Sequence, residues 1–190
     1  MGRAGDCTRL LSKQTDWTEP EMTPGSMFAF GVLAVGLVAA TVIDLKTRRI
    51  PNALTAALSG LGLAMAATGI SGMGPRAALL GFVLGLLLML PGYILGATGA
   101  GDVKLMAAVG AVVGPGLVIT AFLFTAIAGG VLAVGVAAKR GRVTAALAGT
   151  GRLIASPTGA RQEIRTAGAA HRFAYGPAIA IGSLLAALVG

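Results

Sequence analysis

From Met27 to Val189 the sequence is a succession of apolar runs, and the short breaks between them hold most of its charge. Few folds tolerate that arrangement. A helix crossing the roughly 30 Å hydrocarbon core of a bilayer takes about 20 mostly apolar residues. Runs over about 27–45, 52–70, 77–97, 117–138 and 173–189 approach or meet that length. A shorter one, about 103–113, ends at Gly114-Pro115-Gly116. At 1.5 Å per residue it reaches only about 17–20 Å, which requires thinned bilayer or ends buried among other helices. Only 12% of residues are charged and 55% are hydrophobic, with a mean hydropathy of +0.84. An ordinary soluble domain carries roughly twice that charge. The sequence therefore predicts an all-α, polytopic integral membrane protein with about six transmembrane helices. They form one membrane domain, 27–190, behind a polar tail, 1–26. The 30 glycines suit this fold, because small residues let membrane helices approach closely.

Local signals refine the spans. Asn52, after Pro51, is expected to cap the second helix, and Pro91-Gly92 to kink the third. Six spans place eleven basic residues on one side of the membrane: Lys46, Arg48, Arg49, Lys104, Lys139, Arg140, Arg142, Arg152, Arg161, Arg165 and Arg172. The other side keeps Arg3, Arg9, Lys13 and Arg76, diluted by four acids in the tail. By the positive-inside rule the richer side is cytoplasmic and both termini lie outside. The formal net charge of +8 thus follows from topology, with no nucleic acid partner implied. The basic loop 139–172 reads as an interfacial segment drawn to anionic membrane lipids, with substrate gating as the sharper alternative. His171 at its end reads as a boundary residue.

The lone cysteine, Cys7, can form neither an internal disulfide nor a thiolate metal site. No metal site and no cofactor are expected. Residues 1–26 lack the apolar centre of a signal peptide, so the first membrane helix is expected to direct insertion.

Seven residues are acidic: four in the tail, Glu163 in the basic loop, and Asp44 and Asp102 against apolar spans. An ionisable group within a span is costly, about 2–3 kcal/mol on insertion scales, and such groups are usually paired or functional. Asp44 closes the first span and Asp102 opens the fourth, so six spans bring both to the cytoplasmic side at one depth. Two close carboxylates in a low dielectric do not both ionise readily. The ionised one can take a proton from water while the protonated one polarises a peptide carbonyl. That is aspartic protease chemistry. Gly99 and Gly101 let the backbone turn tightly and an extended substrate approach, and the helix dipole favours a carboxylate at Asp102. The structural reading of the same residues is plain: Asp102 as a helix cap, Asp44 as a partner for Lys46, Arg48 or Arg49.

Three stretches resemble the prepilin peptidases (type IV leader peptidases, GxGD aspartic membrane proteases), in particular the small type serving tight-adherence or Flp pili. They are Asp44 with the following KTRRIPN, GAGDVKLMAAVG from Gly99 to Gly110, and AYGPAIAIG from Ala174 to Gly182. In the third, Ala174 stands where the family usually has proline. The resemblance covers about residues 27–190. It implies an intramembrane aspartic endopeptidase of the bacterial cytoplasmic (inner) membrane that cuts a basic leader from prepilins at the cytoplasmic face. Asp44 and Asp102 carry over as the catalytic pair, Gly99 and Gly101 as the loop around the second aspartate. Lys104 carries over as a motif residue, here expected to orient headgroups or the substrate chain. Larger relatives carry an inserted four-cysteine zinc-binding region and methylate the new N-terminus. With one cysteine, this chain is expected to lack the methyltransferase activity.

The rival from another class is a small membrane transporter using Asp44 and Asp102 as a proton relay. Such a protein is expected to show an internal repeat with matching broken helices, and the sequence has none. A third reading, a non-enzymatic assembly factor, leaves the aspartates paired to nearby bases.

Overall fold

The computed structural model describes residues 24–96, 98–139 and 175–189. Residues 1–23 of the polar tail and 140–172 of the basic loop, with Cys7, Glu163 and His171, lie outside the described residues. Those described form five helices: α1 (Pro24–Thr47), α2 (Asn52–Ala67), α3 (Pro75–Ile94), α4 (Ala100–Lys139) and α5 (Gly176–Val189). Three are long and apolar enough to cross a membrane. With the outward-facing apolar surface described below, they make the chain a polytopic membrane protein, as the sequence predicts.

The helix α4 is bent back on itself. Gly114 has φ 82° and ψ 177°, a conformation that breaks the helix and that glycine adopts without a Cβ penalty. A Cβ on Gly110 would stand 3.1 Å from Val118, although eight residues of straight helix span about 12 Å. The arms 100–113 and 115–139 therefore fold against each other, giving six helical segments. The corner is the Gly114-Pro115-Gly116 break expected from the sequence.

The first arm is the centre of the bundle. From Leu105 to Val112 every residue is buried. Its short length is accommodated because protein surrounds it, with α3 and α5 packed chiefly on α4 and α2 on its flank. Conversely, large side chains such as Val35, Leu45, Leu79, Leu87, Ile127 and Val131 point outward. No hydrophobic driving force holds such helices together in lipid, so close backbone approach does. A Cβ on Gly81 would overlap the Gly110 carbonyl, and one on Gly110 would overlap that of Gly81; a Cβ on Gly62 would lie 2.9 Å from Val112.

One local expectation needs correction. Asn52 is the first residue of α2, not its cap; Pro51 holds the cap position with no side-chain bond. Pro91 lies inside α3, in its last turn, and the helix ends at Ile94. Boundaries differ by a few residues elsewhere: α1 begins at Pro24 and α2 ends at Ala67.

Candidate active site

Asp44 sits in the last turn of α1 and is 5% exposed. The helix stops three residues later. Arg48, at φ 52°, takes the left-handed conformation common after a helix, and its N–H still reaches the Asp44 carbonyl, at 2.7 Å. The Asp44 carboxylate reaches across to α5. Its Oδ2 accepts the Gly176 N–H at 3.0 Å, a buried bond across 132 residues of sequence.

Asp102 is 7% exposed and is the third residue of α4. Its Oδ2 accepts the N–H of Gly99 at 2.9 Å, the half of a capping box in which an acid reaches back to the residue before the helix. Asp102 is thus a helix-capping residue whatever else it does. Neither Gly99 nor Gly101 has positive φ; the left-handed glycine of this loop is Gly96, at φ 80°. The tight turn expected of Gly99 and Gly101 belongs to Gly96. Gly101 instead admits Ile50, whose Cβ would lie 3.0 Å from an added Cβ. That contact brings the turn after α1 against the loop before α4.

Lys104 is exposed, and its Nζ donates to Asn52 Oδ1 at 3.0 Å, tying α4 to the start of α2. Because water competes for such a bond, Asn52→Ala is expected to change stability by no more than about 1 kcal/mol, checked by thermal unfolding in detergent.

The dipeptide Tyr175-Gly176, which sequence reasoning did not place in the site, reaches Asp44 through the Gly176 N–H. Burial raises the Tyr175 phenol above its ordinary pKa, with the charge of Asp102 a smaller cause. The phenol packs on Gly129 of the second α4 arm, where a Cβ would overlap it. The available signal was the glycine-proline pair in AYGPAIAIG: proline suits a first helical turn, and glycine before it allows close approach. Beside Tyr175 opens an apolar cavity of about 570 Å³ between α3 and the second arm of α4, lined also by Leu88, Met89, Thr98, Phe122 and Thr125. Thr98 Oγ1 is buried and finds no hydrogen-bond partner among the described residues. Among the described residues, no group of three or more His, Cys, Asp or Glu side chains could hold a metal.

The sequence profile of the type IV leader peptidase family matches residues 31–134, more than half of the 190 residues. The chain belongs to that family. Searches of curated proteins and of solved structures find no match. This leader peptidase is therefore an integral membrane protease whose substrates are prepilins. The matched span takes in Asp44, Gly99, Gly101, Asp102 and Lys104, and stops short of Tyr175 and Gly176.

Proposed function

We propose that this leader peptidase is an aspartic endopeptidase in which Asp44 and Asp102 are the hydrolytic pair. What carries the reading is two buried carboxylates, at the end of α1 and the start of α4, in a chain of the leader peptidase family. Each accepts one backbone N–H at Oδ2. In the proposed sequence the ionised carboxylate takes a proton from water as the water oxygen attacks the scissile carbonyl carbon. The protonated carboxylate gives its proton to the carbonyl oxygen. The tetrahedral intermediate then breaks its C–N bond as the first carboxyl passes its proton to the nitrogen and the second carboxylate takes one from a hydroxyl, which releases the leader and the new N-terminus and restores the pair. The Thr98 hydroxyl, buried beside the cavity, is suited to bonding an extended substrate chain.

The substrate we propose is an Flp-type prepilin, cut at the cytoplasmic face of the bacterial inner membrane, with no methylation of the product. The single cysteine supports the absence of methyltransferase activity, and the eleven basic residues support the orientation. The test is co-expression with an Flp-type prepilin and mass spectrometry of the pilin N-terminus. Leader removal leaving an unmethylated N-terminus is expected. A pilin left at precursor length would rule out this substrate class, and an added methyl group would overturn the single-activity reading. Processing is also expected to continue at the wild-type rate in excess chelator, measured on the membrane fraction.

The proton-relay reading keeps one observation in its favour, the burial of two carboxylates in a membrane bundle. It gives no role to the unpartnered Thr98 hydroxyl.

A further inference from the structure

We infer that Gly176 is a positioning residue for Asp44 and that Tyr175 fixes it in place, so that the start of α5 sets the relation between the two carboxylates. This rests on the reading of Asp44 and Asp102 as the hydrolytic pair.

The first N–H groups of a helix have no acceptor within it. At Gly176 that free donor goes to Asp44 Oδ2 at 3.0 Å. Bonds from an N–H to a carboxylate are among the stronger protein hydrogen bonds, and this one fixes which Asp44 oxygen is occupied. Only glycine permits it, because a Cβ at 176 would stand 2.8 Å from Asp44 Oδ2 and 3.1 Å from Asp44 Cβ. Any other residue pushes the carboxylate or α5 aside.

Tyr175 supplies the second constraint. Its carbonyl accepts the Ile179 N–H at 3.1 Å, continuing the first turn of α5 backward. Its ring lies on Gly129, whose missing side chain makes the space. Tyr175 precedes Gly176, so the seat of its ring on Gly129 fixes where the Gly176 N–H meets Asp44. A shift at either moves one carboxylate relative to the other, and displacements of about 1 Å can cost on the order of 100-fold in rate.

The test uses the full chain in lipid nanodiscs with a synthetic prepilin segment, and reads kcat and KM separately. Gly176→Ala is expected to lower kcat about 10- to 100-fold with KM unchanged. Replacing Gly176 by glycolic acid, an ester that deletes the N–H and adds no atom, is expected to do the same. This second variant decides the matter should Gly176→Ala fail to insert. Gly129→Ala, which touches neither aspartate, is expected to lower kcat in the same direction. Gly130→Ala, whose added methyl meets nothing within 4 Å, is expected to match wild type. Wild-type kcat in the ester variant, alongside an inactive Asp44→Asn, would overturn the role of Gly176 and leave the dyad standing. An unchanged kcat with raised KM would make the start of α5 a substrate-binding surface and overturn it equally. Wild-type behaviour of Gly129→Ala would overturn the part assigned to Tyr175. An active Asp44→Asn would instead remove the underlying reading.

Discussion

Asp44→Asn and Asp102→Asn are each expected to abolish prepilin processing while the protein remains folded and inserted. The amide keeps the size of the carboxylate, and its oxygen can still accept the Gly176 or Gly99 N–H. At that bond the loss is the exchange of a charge-assisted bond for a neutral one, about 1 kcal/mol. The chemical loss is far greater. An amide neither takes a proton from water nor gives one to the carbonyl oxygen, and positioned acid–base groups each contribute roughly 100- to 10,000-fold. Because the two act as one unit, the double variant is expected to be no slower than the worse single variant. Mass spectrometry of the pilin N-terminus, at matched membrane levels of each variant, reads the result. Wild-type processing by either single variant would remove the dyad and make proton conduction the property to measure next.

The second large effect is on stability and lies away from the site. Gly81→Ala and Gly110→Ala are expected to prevent stable folding of the bundle. Each Cβ would run into the carbonyl group of the other glycine, and backbone cannot rotate aside as a side chain can. Overpacking typically destabilises by about 1–3 kcal/mol, and an obstacle made of backbone puts these changes at or above the top of that range. The central arm of α4 would separate from α3, which together form the main packing of the fold. Thermal unfolding and gel filtration in detergent would show a lowered midpoint or aggregation. Gly60→Ala, with open space around it, is expected to be neutral or slightly stabilising, since alanine favours helix by about 1 kcal/mol over glycine. A Gly110→Ala protein that melts with wild type would mean that the α3–α4 contact is looser than these distances require.

The architecture was legible because lipid imposes a coarse rule: apolar runs of spanning length are read directly, and so are glycine-proline breaks such as Gly114-Pro115. Burial of Asp44 and Asp102 was legible for the same reason, since each abuts an apolar run. Individual roles were less so. Asn52 looks like a cap in sequence, but its side chain reaches Lys104, a partner 52 residues away. Gly99 and Gly101 look like turn residues, yet the turn falls at Gly96, and what Gly101 accommodates is Ile50. Tyr175 and Gly176 escaped because their partners lie on α1 and α4. Glycine before proline announces that something comes close, and only the packed structure names the neighbour.

The bond between Asp44 and Gly176 also bears on when the enzyme becomes complete. At synthesis rates of about 5–20 residues per second, the 132 positions between them take about 7–26 s to emerge. Throughout that interval the nascent chain already carries Asp44, and for much of it Asp102, in helices that can insert as they leave the ribosome. The donor for Asp44 arrives only with α5, the last of the described helices. A chain stopped before α5 thus holds both carboxylates without the contact that joins α5 to Asp44.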